Sequence, residues 1–183
     1  KVDSETGAVA QGDAILKGAV YAIYNSVGNE IARLTIGDDL TAKTDYLPLG
    51  TYTIKEVGAP TGYNLSNETY TVTITADNLN PVVQVKDNVI KGNLEILKKL
   101  ESTDYDSEIN LSGAQFKITL KSDTTKVYYT NESGLDGICR VDNLPYGQYL
   151  VEEVTVPNSA FKVDNFEITI SEDSRTYERT IVD

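Results

Sequence analysis

The chain contains no histidine and only one cysteine, and these two scarcities restrict its chemistry. Without histidine, Ser-His and Cys-His nucleophilic mechanisms and the commonest zinc sites are excluded. The single thiol, Cys139, excludes a disulfide within the chain and any multi-cysteine metal site. Because Cys139 alternates in phase with Val141, we expect it to be buried and inert. We expect neither a cofactor nor a metal.

Basic residues are also few, with 16 Lys and Arg against 28 Asp and Glu and a net charge of −12. An acidic chain of this kind is a poor partner for nucleic acid, and its charge favours solubility. The sequence has no signal peptide, no lipidation motif and no apolar run long enough to span a bilayer. We therefore expect no membrane insertion, and we expect this chain to be a piece of a longer protein.

Long helical periodicity is missing too, whereas Thr, Val, Ile and Tyr are abundant, a composition that favours β structure. Short alternating runs lie between Gly- and Pro-containing turns; residues 16–24 are one such run and are predicted to form a strand. The pattern predicts about seven strands per unit, arranged as an antiparallel β-sandwich.

The sequence also repeats itself. Leu-Pro-Leu-Gly-Thr-Tyr-Thr-Ile-Lys-Glu-Val at residues 47–57 returns 97 residues later as Leu-Pro-Tyr-Gly-Gln-Tyr-Leu-Val-Glu-Glu-Val, residues 144–154. Other landmarks recur at nearly the same offset. The repeat predicts an all-β protein of two tandem domains, residues 1–91 and 92–183.

Three ionisable residue types recur in both copies in phase with apolar neighbours. Each copy has a lysine on its first strand, a glutamate near its middle and an aspartate on its last strand: Lys1, Glu56 and Asp87, then Lys98, Glu153 and Asp183. A charged side chain on the apolar face of a strand is costly unless it is paired or neutral. These six residues are therefore the candidate sites.

Two interpretations of each triplet remain open from the residues alone. One is a buried salt-bridge network without any covalent bond. In the other, burial favours a neutral amine, which attacks the aspartate carbonyl while the glutamate moves protons, and an isopeptide bond forms with loss of water. In the first copy Asn88 is an alternative acceptor, although it is out of phase with Val83 and Val85.

The whole chain resembles two B-type repeats of Gram-positive collagen adhesins, the CnaB or SpaA-like pilin domains. Four motifs carry the resemblance: Lys-Val-Asp-Ser-Glu-Thr-Gly at residues 1–7, Leu-Lys-Gly-Ala-Val-Tyr at 16–21, residues 47–57, and Ala-Pro-Thr-Gly-Tyr at 59–63. The resemblance implies prealbumin-like, inverse immunoglobulin-like β-sandwiches.

It also implies isopeptide bonds between Lys1 and Asp87 and between Lys98 and Asp183, assisted by Glu56 and Glu153. The implied role is that of an extracellular stalk or backbone domain in a cell-wall-anchored adhesin or pilin. Its partners would be neighbouring domains of the same surface protein. Bond formation would be autocatalytic and occur once, so no enzyme with turnover is implied.

Two other functions are compatible with some of these residues. A ligand-binding adhesin domain that contacts host matrix or glycan could use an aromatic surface drawn from Tyr21, Tyr24, Tyr46, Tyr63, Tyr105, Tyr128 and Tyr129, although tyrosine in β proteins more often serves in packing. A hydrolase with paired carboxylates would need an open cleft, whereas the neighbours of Glu56 and Glu153 predict burial. Asp104, Asp106 and Glu108 alternate as calcium ligands can, but a solvated loop is the preferred interpretation.

Overall fold

The computed structural model describes residues 1–99, 111–157 and 161–182. All the regular structure in these segments is β-strand, which confirms the predicted all-β class. The chain divides into two compact units, Lys1–Val89 and Ile90–Asp183. No helix in the described segments is long and apolar enough to cross a membrane.

The first unit has two sheets. Its strands are β1 Val2–Asp3, β2 Val20–Tyr24, β3 Glu30–Thr35, β4 Gly50–Gly58, β5 Thr69–Ile74 and β6 Lys86–Asp87. An antiparallel four-stranded sheet has the order β3-β2-β4-β5, and β1 pairs with β6 in parallel. The first and last strands of the unit are therefore direct neighbours.

The described part of the second unit repeats this plan with longer strands. They are β7 Lys91–Lys99, β8 Gln115–Leu120, β9 Val127–Tyr129, β10 Ile138–Pro145, β11 Gly147–Thr155, β12 Phe166–Ile170 and β13 Thr176–Val182. One sheet has the order β12-β11-β8-β9, and the other has the order β10-β7-β13. Here too the first and last strands, β7 and β13, pair in parallel.

These parallel pairs depart from the predicted antiparallel arrangement, although every other strand pairing among the described residues is antiparallel. A second difference is that the strand predicted over residues 16–24 begins only at Val20. Gly18 adopts a φ of 90°, a left-handed conformation that suits glycine and breaks the extended run.

Each unit has its own apolar core between its sheets. In the first unit the core contains Ala19, Tyr21, Ile36 and Val85. The second core is larger, and strict alternation along β7 buries Leu94 and Ile96 together with Lys98. Cys139 is completely buried in that core, as predicted.

The repeated Pro-x-Gly-x-Tyr motif has a structural role at the start of β4 and β11. The hydroxyl of Tyr52 donates to the backbone oxygen of Pro48 at 2.7 Å, and Tyr149 makes the same bond to Pro145 at 2.7 Å. Each tyrosine thus ties its turn to the strand that carries the glutamate.

Candidate functional site

The three predicted residues of the first unit meet at the β1–β6 pair. The backbone N–H of Val2 donates to Val85, and that of Ser4 donates to Asp87, both at 2.9 Å. These bonds hold Lys1, directly before β1, close to Asp87 on β6. Alternation along β4 turns Glu56 towards the same interior.

The side chains of Lys1, Glu56 and Asp87 are completely buried. Nζ of Lys1 is in direct contact with Oδ2 of Asp87 and lies 3.4 Å from Oε1 of Glu56. The amine, the acceptor carboxyl and the glutamate therefore form a single buried cluster. Such a cluster permits either an ion network or attack of the amine on the aspartate carbonyl.

Glu56 is fixed by a contact that sequence reasoning missed. The backbone N–H of Ser66 donates to Oε2 of Glu56 at 2.7 Å, which leaves Oε1 to face Lys1. In the second unit the backbone N–H of Val163 donates to Oε2 of Glu153 at 2.9 Å. The donor follows the glutamate by ten residues in both units, so an equivalent spacing in the repeat was the available signal.

Burial of Asp87 changes its acidity. Removal from water raises the pKa of this carboxyl to about 6. The hydrogen bond with Lys1 lowers the pKa and only partly opposes desolvation, whereas the negative charge of Glu56 raises it further. The protonated form of Asp87 is therefore well populated in mildly acidic solution. A carboxylic acid reacts with an amine more readily than a carboxylate does, since its carbonyl carbon is more electrophilic and its hydroxyl group can leave as water.

Asn88, the alternative acceptor, faces away from this cluster. Its side chain is exposed, and its Oδ1 accepts a hydrogen bond from the hydroxyl of Ser4 at 2.6 Å. The alternation of buried and exposed positions through Val85 and Asp87 explains this orientation.

A fourth residue, Tyr21, belongs to the cluster although the sequence placed it only among candidate ligand contacts. It is 3 % exposed, and its hydroxyl accepts a hydrogen bond from Nζ of Lys1 at 2.7 Å. Strand register sets Tyr21 directly opposite Glu56. The phase of Tyr21 with Ile23 on a predicted strand was the signal for burial, and the structure agrees with packing as the preferred interpretation and not with a place on a ligand surface.

The other tyrosines considered for ligand binding do not share one environment. Tyr63 is buried and donates to Oδ2 of Asp3 at 2.8 Å, so it too is a packing residue and not a surface contact. Tyr46 and Tyr129 are exposed, one in each unit. Tyr105 lies outside the described residues, as do Asp104, Asp106 and Glu108 of the considered calcium site.

The second unit buries the corresponding lysine and glutamate. Nζ of Lys98 donates to Oε1 of Glu153 at 2.6 Å, and both side chains are completely buried. On β13, Ile181 is the partner of Lys98 in the parallel register. The predicted acceptor, Asp183, lies outside the described residues.

Comparisons with known proteins agree with this architecture. A family model described as the SpaA prealbumin-like fold domain matches residues 1–89 and 96–183. The structure of the TIE protein of Bacillus anthracis is 29% identical, with a TM-score of 0.73 over 99% of this chain and 32% of that one. The present chain thus spans about a third of that protein's length. No curated protein matches the chain.

A C-terminal fragment of the pilus adhesin SpaC from Lactobacillus rhamnosus GG has a TM-score of 0.51 and 17% identity. That match covers 98% of this chain and 94% of the fragment, and at such identity it establishes a common fold. The family match, in contrast, extends over nearly every residue of both units. The chain belongs to the SpaA prealbumin-like fold domain family and carries two copies of that domain in tandem.

Proposed function

We propose that the two units are structural stalk domains of an extracellular, cell-wall-anchored adhesin or pilin, each rigidified by an internal Lys–Asp isopeptide bond. The observation that supports this most strongly is the direct contact between Nζ of Lys1 and the carboxyl of Asp87 inside a completely buried cluster. Membership of the SpaA family supports an extracellular role beside other surface domains. The fold is also that of a pilus adhesin fragment.

The proposed reaction in the first unit needs no cofactor. The ammonium of Lys1 gives one proton to the carboxylate of Glu56, 3.4 Å away, and becomes a neutral nucleophile. Its lone pair attacks Cγ of protonated Asp87. The bond from Cγ to the hydroxyl oxygen then breaks, and the hydroxyl takes one proton from the attacking nitrogen and leaves as water. The products are the amide, a water molecule and a protonated Glu56, so atoms and charge balance.

Burial favours this reaction over a permanent ion network. A charged pair in an apolar interior loses hydration that its mutual attraction only partly restores, whereas an amide is neutral. The raised pKa of Asp87 reflects this penalty on the charged form. Contact between the reacting groups also removes the entropic cost of bringing them together.

For the second unit we propose the same reaction between Lys98 and Asp183 with Glu153 as the proton acceptor. Support comes from the buried Lys98–Glu153 pair and from the parallel β7–β13 pairing, which corresponds to β1–β6. In each unit the reaction occurs once, so the protein modifies itself and does not turn over a substrate.

A bond between first and last strands has a mechanical use. Tension that enters the first unit at Lys1 would leave through Asp87 without loading the strands between them. The β1–β6 pair has only two residues per strand, so its hydrogen bonds alone resist little force. The covalent bond would take the load in their place.

Single-molecule force spectroscopy on the full chain tests this function. We expect the wild-type first unit not to extend, because the bond joins residue 1 to residue 87 and the chain between them carries no force. Without the bond, unfolding should release a contour length on the order of 30 nm, from roughly 3.5 Å per residue. Wild-type traces that contain this extension in the first unit would refute the proposed load-bearing bond.

A further inference from the structure

Tyr21 stands between the lysine and the glutamate of the first unit. Its hydroxyl accepts a hydrogen bond from Nζ of Lys1 at 2.7 Å, while Nζ lies 3.4 Å from Oε1 of Glu56. The Tyr21 ring also lies below the amine, with Nζ 5.3 Å from the ring centroid. The hydrogen bond from Nζ to the Tyr21 hydroxyl is therefore shorter than the one to Glu56.

The second unit provides a natural comparison because it lacks this hydroxyl. Phe116 occupies the position opposite Glu153 that Tyr21 occupies opposite Glu56. There the lysine-to-glutamate distance is 2.6 Å. The two units thus differ both in the aromatic residue and in how closely the lysine approaches its glutamate.

We propose that Tyr21 is a fourth residue of the reaction site in the first unit. Its hydroxyl positions Nζ of Lys1 against Asp87 and prevents a tight ion pair between Lys1 and Glu56. This inference rests on the proposed isopeptide reaction and adds a residue to it. A lysine in a tight ion pair with glutamate reacts more slowly, because its amine spends more time in the protonated form. The phenol competes with Glu56 for the amine without adding a charge.

The phenol is suited to this task because it stays neutral. Burial, the charges of Asp87 and Glu56 and a hydrogen bond with Glu56 raise the pKa of Tyr21 well above its ordinary value. A neutral phenol accepts one hydrogen bond from Nζ and still has its own proton to donate. It can therefore pass a proton from the ammonium to Glu56 while its own protonation state is unchanged at the end.

The test compares rates of bond formation in the full chain. Wild type, Tyr21→Phe and Tyr52→Phe are isolated unfolded, refolded by dilution and sampled over time, and peptide mass spectrometry assigns each lost water to one unit. Tyr52→Phe is the matched control, since it removes a buried hydroxyl on the same unit that bonds Pro48 and not the cluster. The rate of water loss in the second unit of the same molecule serves as an internal reference.

We expect Tyr21→Phe to form the Lys1–Asp87 bond about 10-fold or more slowly, the usual effect of losing a hydrogen bond to a charged group. Tyr52→Phe and the second unit should keep their wild-type rates. A Tyr21→Phe rate within twofold of wild type, or an equal loss in Tyr52→Phe, would overturn the role of Tyr21. A wild-type chain that loses no water would instead refute the isopeptide reaction itself.

The pH dependence separates positioning from a general loss of structure. Lys1 lowers the pKa of Asp87, whereas burial and Glu56 raise it. The charge of Asp87 also acts on the hydroxyls of Tyr21, Tyr63 and Tyr70. If Tyr21→Phe lets the amine move onto Glu56, that lowering is lost and the pKa of Asp87 rises. We expect the fall in rate with pH to shift to higher pH in Tyr21→Phe. A slower reaction with an unshifted profile would contradict positioning by Tyr21.

Discussion

Replacement of Glu56 by glutamine tests the proton acceptor with little change in shape. The amide oxygen can still accept the hydrogen bond that Ser66 donates at 2.7 Å, but the side chain no longer takes a proton from Lys1. We expect Glu56→Gln to stop formation of the Lys1–Asp87 bond. The side chains of both reacting residues remain buried and in contact, so the fold should persist.

The stability lost with the bond follows from the loop that it closes. A crosslink between residues 1 and 87 reduces the entropy of the unfolded chain, and the chain-entropy relation used for disulfides gives about 4.6 kcal/mol for such a loop. For a domain of this size each kcal/mol corresponds to roughly 4–8 °C in melting temperature. Glu56→Gln should therefore lower the Tm of the first unit by roughly 20–35 °C.

Calorimetry of the full chain measures this shift, and intact mass measured on the same sample shows the water that is retained. Glu68→Gln is the matched control, because Glu68 is an exposed glutamate of the same unit that contacts Tyr70 and Lys86 and not the Lys1 amine. It should keep both the wild-type mass and the wild-type Tm. A Glu56→Gln protein that still loses the water, or that melts within a few degrees of wild type, would refute the assigned role.

Three further outcomes are expected. In refolding assays the rate of bond formation should fall about tenfold per pH unit above pH 6. The reason is that the pKa of Asp87 is raised to about 6 and the reaction requires the protonated form. A rate that rises across this pH range would contradict that requirement. Asn88→Ala should lose the same one water as wild type, since Asn88 is exposed and bonds Ser4. Loss of ammonia in wild type that disappears in Asn88→Ala would instead make Asn88 the acceptor. Tyr63→Phe removes a donor to buried Asp3 and should cost about 1–3 kcal/mol in denaturant unfolding, whereas an unchanged stability would show that this bond contributes nothing.

Much of the candidate site was predictable because a repeat reveals which charged residues are retained in phase with apolar neighbours. Alternation correctly placed Glu56 beside Tyr52 and Glu153 beside Tyr149 and Val151 on buried faces. Alternation could not predict the hydrogen bond between Tyr21 and Lys1. A tyrosine on a strand gives the same sequence pattern whether its hydroxyl bonds a lysine or reaches solvent. That distinction depends on strand register, which sets Tyr21 opposite Glu56.

The fold was predictable to the level of two all-β units, since strand periodicity and the repeat are local features of the sequence. The direction of the β1–β6 and β7–β13 pairs was not, because the pairing joins segments that are far apart in the chain. β1 and β6 are only two residues long, and this too depends on pairing between distant segments. The alternating run at residues 82–87 forms a strand only where a partner strand lies beside it.

The intact mass of the purified wild-type chain tests the central claim most directly. Each isopeptide bond removes one water, so two bonds predict a mass lower than the sequence mass by two waters. A deficit of one water, assigned to Lys1 and Asp87 by peptide mapping, would retain the reaction for the first unit and contradict it for Lys98 and Asp183. A mass equal to that of the sequence would contradict the account and leave Lys1, Glu56 and Asp87 as a buried ion network.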